Sequence, residues 1–214
     1  MNRLHHYRIR SWILAGTLVG SVVMAIGVPA AHAAVNCVVG PGVTQTATTV
    51  TGTNGNDTID CGRASRGKKI IGKAGNDTIT GTRFHDTING GAGNDTVTGG
   101  AGHDTLTGNR GHDTMTGSGG RDTLNGGRGD DTLTGSGRND HLKGGAGDDT
   151  LSGGVGDDVL NGGVGTDILS GDAGADTLKG PSNDLSVDTL VGGAGSDTCQ
   201  GPGSDGDTLV ACNP

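Results

Sequence analysis

The 214-residue chain contains no glutamate and only one residue each of tryptophan, tyrosine and phenylalanine. Without glutamate, the H-E-x-x-H pattern of zinc proteases cannot occur. The sequence also contains neither G-x-S-x-G nor G-x-x-x-x-G-K-[ST]. These absences exclude the common signatures of hydrolases and nucleotide-binding enzymes, and we expect the protein not to be an enzyme.

Basic residues are also few, because 15 lysines and arginines face 23 acidic residues, for a net charge of −8. An acidic chain does not favour nucleic acid as a partner. After residue 28 no apolar run is long enough to span a bilayer. We therefore expect no nucleic-acid partner and no membrane-spanning segment.

The acidic residues that are present are all aspartate, and 46 residues are glycine. Between Gly72 and Lys179 the chain repeats the pattern G-G-x-G-x-D-x-U-x, where U is aliphatic, every nine residues and without insertion or deletion. Residues 90–98 form one clear copy and residues 144–152 another. A strict period this short indicates a solenoid rather than a disordered glycine-rich segment.

Two columns of residues define the repeat. The aspartate column consists of Asp77, Asp86, Asp95, Asp104, Asp113, Asp122, Asp131, Asp140, Asp149, Asp158, Asp167 and Asp176. The apolar column, two residues further on, consists of Ile79, Ile88, Val97, Leu106, Met115, Leu124, Leu133, Leu142, Leu151, Leu160, Leu169 and Leu178.

This pattern resembles the RTX family of haemolysin-type calcium-binding repeats. The resemblance implies an all-β fold, a parallel β-roll or β-solenoid with two nonapeptides per turn. Each x-U-x is then a short strand with U inward, and each G-G-x-G-x-D is a loop. Calcium lies between loops stacked one turn, or 18 residues, apart.

Calcium prefers six to eight oxygen ligands, which carboxylates and main-chain carbonyls supply together. The aspartates alternate between two edges of the roll, which gives about ten sites between stacked loops. Calcium ions are thus the expected cofactor and partner. The most regular loops contribute the glycines Gly90, Gly93, Gly99, Gly102, Gly126, Gly129, Gly144, Gly147, Gly153, Gly156, Gly162 and Gly165.

Some loops depart from the pattern. Phe84 and Arg138 replace the fourth-position glycine, and these two loops are expected to be empty or distorted. Next to the column aspartate lie additional carboxylates and histidines, which fit exposed loop residues better than ligands. They are Asp130, Asp148, Asp157, His85, His103 and His112. A zinc or pH-sensing role for the histidines is the alternative.

The N-terminus is typical of a secretory signal peptide. Arginines precede an apolar run over residues 12–28, and Ala31-His32-Ala33 matches a cleavage site. We predict a signal peptide over 1–33, an N-terminal cap over 34–51, the calcium-binding β-roll over 52–191, and final repeats with a C-terminal cap over 192–214. The predicted location is extracellular.

Four cysteines are consistent with an oxidising compartment. Eight turns stacked at about 4.8 Å would form a rod of roughly 38 Å, whereas bonded cysteines need Cα atoms within about 7 Å. The predicted disulfides are therefore Cys37–Cys61 and Cys199–Cys212, one at each end. A metal–thiolate site is the alternative, although no C-x-x-C spacing is present.

The sequence leaves the purpose of calcium binding open. Because the interior is a single aliphatic column and the aspartates repel one another, we expect the chain to fold only when calcium binds. One alternative is an ice- or surface-binding solenoid that uses Thr-x-Thr pairs on one outer face, although threonine is also simply a strand former. These pairs are Thr78/Thr80, Thr96/Thr98, Thr114/Thr116, Thr132/Thr134 and Thr150/Ser152. A cell-envelope adhesin module is the other alternative, and we expect a monomer.

Overall fold

The computed structural model describes residues 37–180, 186–201 and 208–212. The predicted signal peptide over 1–33 lies outside these residues. The described strands are β1 Val38–Val39, β2 Thr44–Gln45, β3 Thr49–Thr51, β4 Thr58–Asp60, β5 Lys69–Ala74, β6 Thr78–Thr80, β7 Thr87–Ala92, β8 Thr96–Ala101, β9 Thr105–Arg110, β10 Thr114–Gly119, β11 Thr123–Arg128, β12 Thr132–Gly137, β13 His141–Ala146, β14 Thr150–Val155, β15 Val159–Val164, β16 Ile168–Ala173, β17 Thr177–Lys179, β18 Thr189–Ala194, β19 Thr198–Gln200 and β20 Thr208–Val210.

The strands form two ten-stranded sheets, and from β3 onward successive strands alternate between the two sheets. Sheet A has the order β1-β4-β6-β8-β10-β12-β14-β16-β18-β20, and sheet B has the order β19-β17-β15-β13-β11-β9-β7-β5-β3-β2. From β3 to β20 neighbouring strands within a sheet are parallel. This arrangement is the expected β-solenoid with two repeats per turn.

Each turn is in register with the next at a separation of 18 residues in the regular part of the roll. Thr96 pairs with Thr114, and Met115 pairs with Leu133. The side chain of U therefore always meets another U across the ladder. The apolar column is buried as expected, with Ile79 to Leu178 at most 1% exposed.

Most strands are longer than the three residues that the repeat predicts. β8, for example, has six residues, because Gly100 and Ala101 continue the pairing with β10. Gly99, which lies between Thr98 and Gly100, has no partner in the register. The first three residues of G-G-x-G-x-D thus extend the strand past a corner at the first glycine, and only the last three form the connecting loop.

The ends of the roll differ from its middle. β1 pairs antiparallel with β4, and β2 pairs antiparallel with β3. The structure joins Cys37 to Cys61 and Cys199 to Cys212, the two predicted pairs, with Cα–Cα distances of 4.1 and 5.7 Å. Parallel pairing already includes Thr49–Thr51, so the stacked strands begin slightly before the predicted boundary at residue 52.

Across the residues that the structure describes, no helix is long and apolar enough to cross a membrane.

Candidate calcium sites

The aspartate column lies inside the roll rather than on its surface. All twelve predicted aspartates, and also Asp57, Asp188 and Asp197, are at most 5% exposed. A buried carboxylate is costly unless hydrogen bonds or an opposite charge compensate for lost water. The two oxygens of each carboxylate have different surroundings.

One oxygen, Oδ1, connects adjacent turns. It accepts a hydrogen bond from the main-chain N–H of the aspartate one turn earlier: Asp95 from Asp77, and Asp131 from Asp113, both at 2.8 Å. The bonds continue along both edges as far as Asp188 and Asp197. Each aspartate thus fixes the register between two loops, and half of its hydrogen-bonding capacity is satisfied by the main chain.

The other oxygen, Oδ2, is buried and has no hydrogen-bond partner among the described residues in most loops. This is the case in Asp77, Asp95, Asp104, Asp113, Asp122, Asp131, Asp140, Asp149, Asp158, Asp176 and Asp197. A buried acceptor that lacks a donor is rare in a stable protein. Its recurrence in loop after loop indicates that a positive charge or a proton belongs there.

The first glycine of each repeat shows what surrounds Oδ2. A Cβ placed on Gly144 would lie 2.3 Å from Oδ2 of Asp149 and 2.5 Å from the carbonyl oxygen of Gly162, one turn later. The predicted first-position glycines Gly90, Gly99, Gly126, Gly153 and Gly162 all have Oδ2 of their own aspartate in the same place, at 2.2–2.6 Å. At Gly99, Gly144 and Gly153 a carboxylate oxygen without a donor and a main-chain carbonyl oxygen therefore border the same space, which is the ligand chemistry of calcium.

The predicted fourth-position glycines lie where successive loops stack. Gly147 has φ 130°, and a Cβ there would fall 2.5 Å from the carbonyl oxygen of Gly129. A side chain on Gly147 would therefore clash with the loop one turn earlier. The same positive φ occurs at Gly93, Gly102, Gly129, Gly156 and Gly165.

Burial is the largest cause of a raised pKa in these carboxyl groups. It raises the pKa of Asp104 and Asp140 to about 7, although a main-chain hydrogen bond to each opposes it and neighbouring aspartates add to it. The pKa is raised to about 6 in Asp77, Asp95, Asp113, Asp131, Asp149 and Asp176, and is also raised in Asp122 and Asp158. The calcium-free roll therefore keeps protons on these carboxyl groups up to a higher pH than the unfolded chain does.

In two loops a main-chain N–H takes the place of an ion at Oδ2, and both loops have threonine at the second position of the repeat. Thr53 and Thr82 each donate their main-chain N–H to Oδ2 of the aspartate in the same loop, Asp57 and Asp86, at 2.6 Å. The second position has positive φ in other loops, including at Lys73, Asn109 and Ser118. A β-branched threonine disfavours that conformation, so these two loops adopt another one.

The replacements at the fourth position have different effects. Arg138 keeps a positive φ of 76°, and Asp140 Oδ2 stays without a donor, so this loop has the regular geometry. The loop with Phe84 is the one that Thr82 closes. Distortion is therefore absent at Arg138, and in the Phe84 loop it accompanies the second-position threonine.

The residues before the column aspartates form an outer ladder instead of adding ligands. Asp130 Oδ1 and Asp148 Oδ1 accept main-chain N–H groups one turn later, and both side chains are exposed. His103 Nδ1 and His112 Nδ1 accept the N–H groups of Arg121 and Asp130. Each of these histidines then carries its proton on Nε2, which disfavours a zinc site.

Two further observations concern metal binding by side chains. The rings of His85 and His103 are in contact, with centroids 4.7 Å apart. In the part of the chain that the structure describes, no three His, Cys, Asp or Glu side chains are grouped so as to hold a metal ion. Ions in these loops would need main-chain carbonyls as additional ligands.

A parallel roll whose turns bring buried carboxylates and main-chain carbonyls together at glycine corners such as Gly99, Gly144 and Gly153 fits a class of repeat protein that binds cations between its turns. The family model described as RTX calcium-binding nonapeptide repeat (4 copies) matches residues 44–62, 71–106, 98–133, 107–142, 126–160, 134–169, 161–180 and 185–201. These matches cover more than half of the chain, which belongs to this family. A comparison with curated proteins finds no match.

The raised pKa values predict acid-induced folding in the absence of calcium. Folded carboxyl groups with pKa values of about 6 to 7 exceed the unfolded value of about 3.9. Protonation therefore stabilises the roll fully below about pH 4, and this stabilisation is lost as the pH rises through 6 to 7. Calcium-depleted protein should show more β signal in far-UV circular dichroism at pH 4 than at pH 8.

Calcium added at pH 8 should restore the β signal and serves as the control. An equal or weaker β signal at pH 4 would contradict the assignment.

Proposed function

We propose that the protein is a secreted calcium-binding protein whose loops bind several calcium ions and whose roll folds when they bind. The observation that carries this proposal is the buried Oδ2 atom without a donor, next to a carbonyl oxygen of the following turn. Calcium supplies the positive charge that these oxygens lack. The RTX family supports calcium rather than another cation.

The ions would be held between loops stacked one turn apart on each edge. Each column aspartate from Asp77 to Asp176, except Asp86, would contribute Oδ2, and the main chain around the first and fourth glycines would contribute carbonyl oxygens. Asp86 is excluded because Thr82 occupies its Oδ2. Two neighbouring loops together provide enough oxygen ligands for a calcium ion, whereas one loop alone does not.

Folding on binding follows from the same oxygens. At neutral pH the calcium-free roll would have to keep a series of buried carboxylates ionised without a counter-charge, which is strongly unfavourable. Binding to the folded form alone stabilises that form in proportion to the logarithm of the calcium concentration. The unfolded chain and the calcium-loaded roll are then the two main states at neutral pH.

A calcium titration at pH 8, followed by far-UV circular dichroism, tests this proposal with two variants. The spectrum of the wild type should change from that of a disordered chain to that of a β protein as calcium is added. Asp131→Asn should need on the order of tenfold more calcium for the loops around it, because the site loses a charged ligand. The same variant should show a higher β signal without calcium, since asparagine removes a buried negative charge that has no donor.

Asp130→Asn is the matched control, because Asp130 is the exposed neighbour of Asp131 and makes only outer-ladder bonds. It should titrate like wild type. A complete β spectrum of the wild type in excess chelator at pH 8 would refute folding on binding. Equal calcium dependence of the two variants would refute the role of Asp131.

Secretion is supported by the two disulfides, which fit an oxidising compartment. We propose cleavage after Ala33, so that N-terminal sequencing of the exported chain would begin at Ala34. The monomeric state and an adhesin role stay predictions.

A second candidate function is binding of ice or another regular surface by sheet A. The predicted threonine pairs lie in register on β6, β8, β10, β12 and β14, so they form two straight outer columns. The first threonine of each pair is exposed. The corresponding positions on sheet B are mixed, because His141 and Lys143 interrupt them.

Thermal hysteresis measured with calcium present tests this candidate. Replacing Thr96 and Thr114 by lysine should abolish any hysteresis and leave the calcium titration unchanged. The same replacements of Thr105 and Thr123 on sheet B are the control and should have no effect. Absence of hysteresis in the wild type would remove ice as the ligand.

A further inference from the structure

The outer face of sheet B contains a groove lined by positive side chains. The groove has a volume of about 430 Å³, and its polar lining consists of Thr107, Asn109, Arg110, Asn125, Arg128 and Lys143. Arg110, Arg128 and Lys143 are exposed. In a chain with a net charge of −8, three cations in one groove are an unusual concentration.

The strand register makes this groove a regular array. Arg110 is paired with Arg128 on β9 and β11, and Asn125 is paired with Lys143 on β11 and β13. Neighbouring strands are about 4.8 Å apart. A linear ligand that runs along the roll would therefore meet one set of polar side chains at every strand.

In the described part of the chain, Arg110, Arg128 and Lys143 form no ion pair with an acidic side chain. A second cavity, of about 480 Å³, lies where the chain enters β11 and β13, and its lining includes Arg121 and Arg138. Like charges at adjacent strand positions repel each other. An anionic ligand would relieve this repulsion.

We propose that the groove binds an acidic polysaccharide. Arg110 and Arg128 would bind its carboxylate or sulfate groups, for which the planar guanidinium is suited. Lys143 would add a third positive charge. Thr107, Asn109 and Asn125 would form hydrogen bonds with its hydroxyl groups.

The lining favours a polysaccharide over other anionic polymers. Single-stranded nucleic acid is usually bound through aromatic side chains on which bases stack, and the groove has none. Insertion into a membrane surface needs large apolar side chains, whereas the apolar residue of the lining is Ala146. The amide of Asn109 is oriented by donating Nδ2–H to Asn89 Oδ1 at 2.9 Å, which leaves its own oxygen to accept.

This inference rests on the proposed function, because the array exists only when the roll is folded. The test measures binding to immobilised hyaluronan and dextran sulfate, with neutral dextran as reference, in saturating calcium. The groove variant is Arg110→Gln/Arg128→Gln/Lys143→Gln. The control, Lys69→Gln/Lys73→Gln/Lys179→Gln, removes the same charge from exposed positions of sheet B, outside the groove.

Wild type and the control should bind the acidic polymers with an affinity that falls as salt increases. The groove variant should bind them at least tenfold more weakly, with an unchanged calcium-induced β spectrum. Failure of the proposed function would appear separately, as a spectrum that does not respond to calcium. Equal binding by the groove variant, no binding by wild type, or tighter binding to single-stranded DNA or anionic phospholipid vesicles would overturn the proposal.

A different set of contacts shows how the N-terminal turns are stabilised. Lys69 pairs with Thr87, so Lys68 occupies the column position that aspartate occupies in every later turn. Its side chain is 3% exposed, its main-chain N–H donates to Asp86 Oδ1, and its Nζ donates to the carbonyl of Ala47 at 2.6 Å. The first position of this edge thus carries the positive charge of a lysine ammonium group.

Other features of the same end also satisfy groups without calcium. The loops that end at Asp57 and Asp86 are closed by threonine N–H groups. Cys37–Cys61 fixes β1 next to β4. We also propose that residues 37–86, in which Asp77 is the one column aspartate whose Oδ2 lacks a donor, fold without calcium and serve as the template on which calcium assembles the remaining turns.

Hydrogen exchange of the full chain in calcium-free buffer at pH 8 tests this second proposal, which also rests on the proposed function. Amides of residues 49–86 should exchange at least tenfold more slowly than those of residues 105–180, and calcium should protect both regions. Lys68→Met should remove the early protection. Lys69→Met, at the exposed neighbouring position, should preserve it.

Uniform fast exchange of the wild type without calcium would overturn the template. Protection of the whole wild-type chain without calcium would instead overturn the proposed function. If Lys68→Met does not fold even with calcium, the exchange rates of the two regions in the wild type still decide whether the N-terminal turns fold without calcium.

Discussion

The structure depends on one buried carboxylate per repeat. Oδ1 connects its loop to the previous turn through a main-chain hydrogen bond, and Oδ2 faces carbonyl oxygens. The same group therefore aligns the turns and makes their alignment unfavourable unless a positive charge is present. A shorter or uncharged side chain would lose one of these two effects, which explains why the column is aspartate.

The other regular features of the repeat follow from this group. The first glycine has no side chain because Oδ2 and the next carbonyl occupy that space, and the fourth glycine allows the loops to stack closely. The aliphatic residue two positions after the aspartate points inward because side chains alternate along a strand. Its column is narrow, so the core alone is small for a chain of this length.

The strict nine-residue period was sufficient to predict a solenoid and its apolar column, whereas the two repeats per turn and the 18-residue register came from the resemblance to the RTX family. The disulfide pairs followed from the length of the rod. Strand length was not predictable in the same way, since Gly100 and Ala101 pair only because the next turn is already aligned. The effect of Thr53 and Thr82 could have been found from sequence: a β-branched residue at a position that needs positive φ is a local signal.

Lys68 shows a different limit of sequence reasoning. Ile59 and Ile70 are eleven residues apart instead of nine, which interrupts the nine-residue period. Lys68 is therefore recognised as a column residue only from the pairing of Lys69 with Thr87. Burial lowers the pKa of its ammonium group, Arg66 lowers it further, and Asp86 opposes this effect. A lysine at the start of an aspartate column is therefore informative only once the register is known.

The inner and outer positions of the repeat are under different physical constraints. Inside, the first glycine, the aspartate and the aliphatic residue each make close contacts with a neighbouring turn, so a substitution at one of these positions disturbs two turns. Outside, the residues that flank the aliphatic position differ between the two sheets: threonine columns on sheet A, and a mixture of threonine, asparagine, histidine and lysine on sheet B. Because calcium binding does not require this difference, the outer faces are where a role beyond calcium binding would reside.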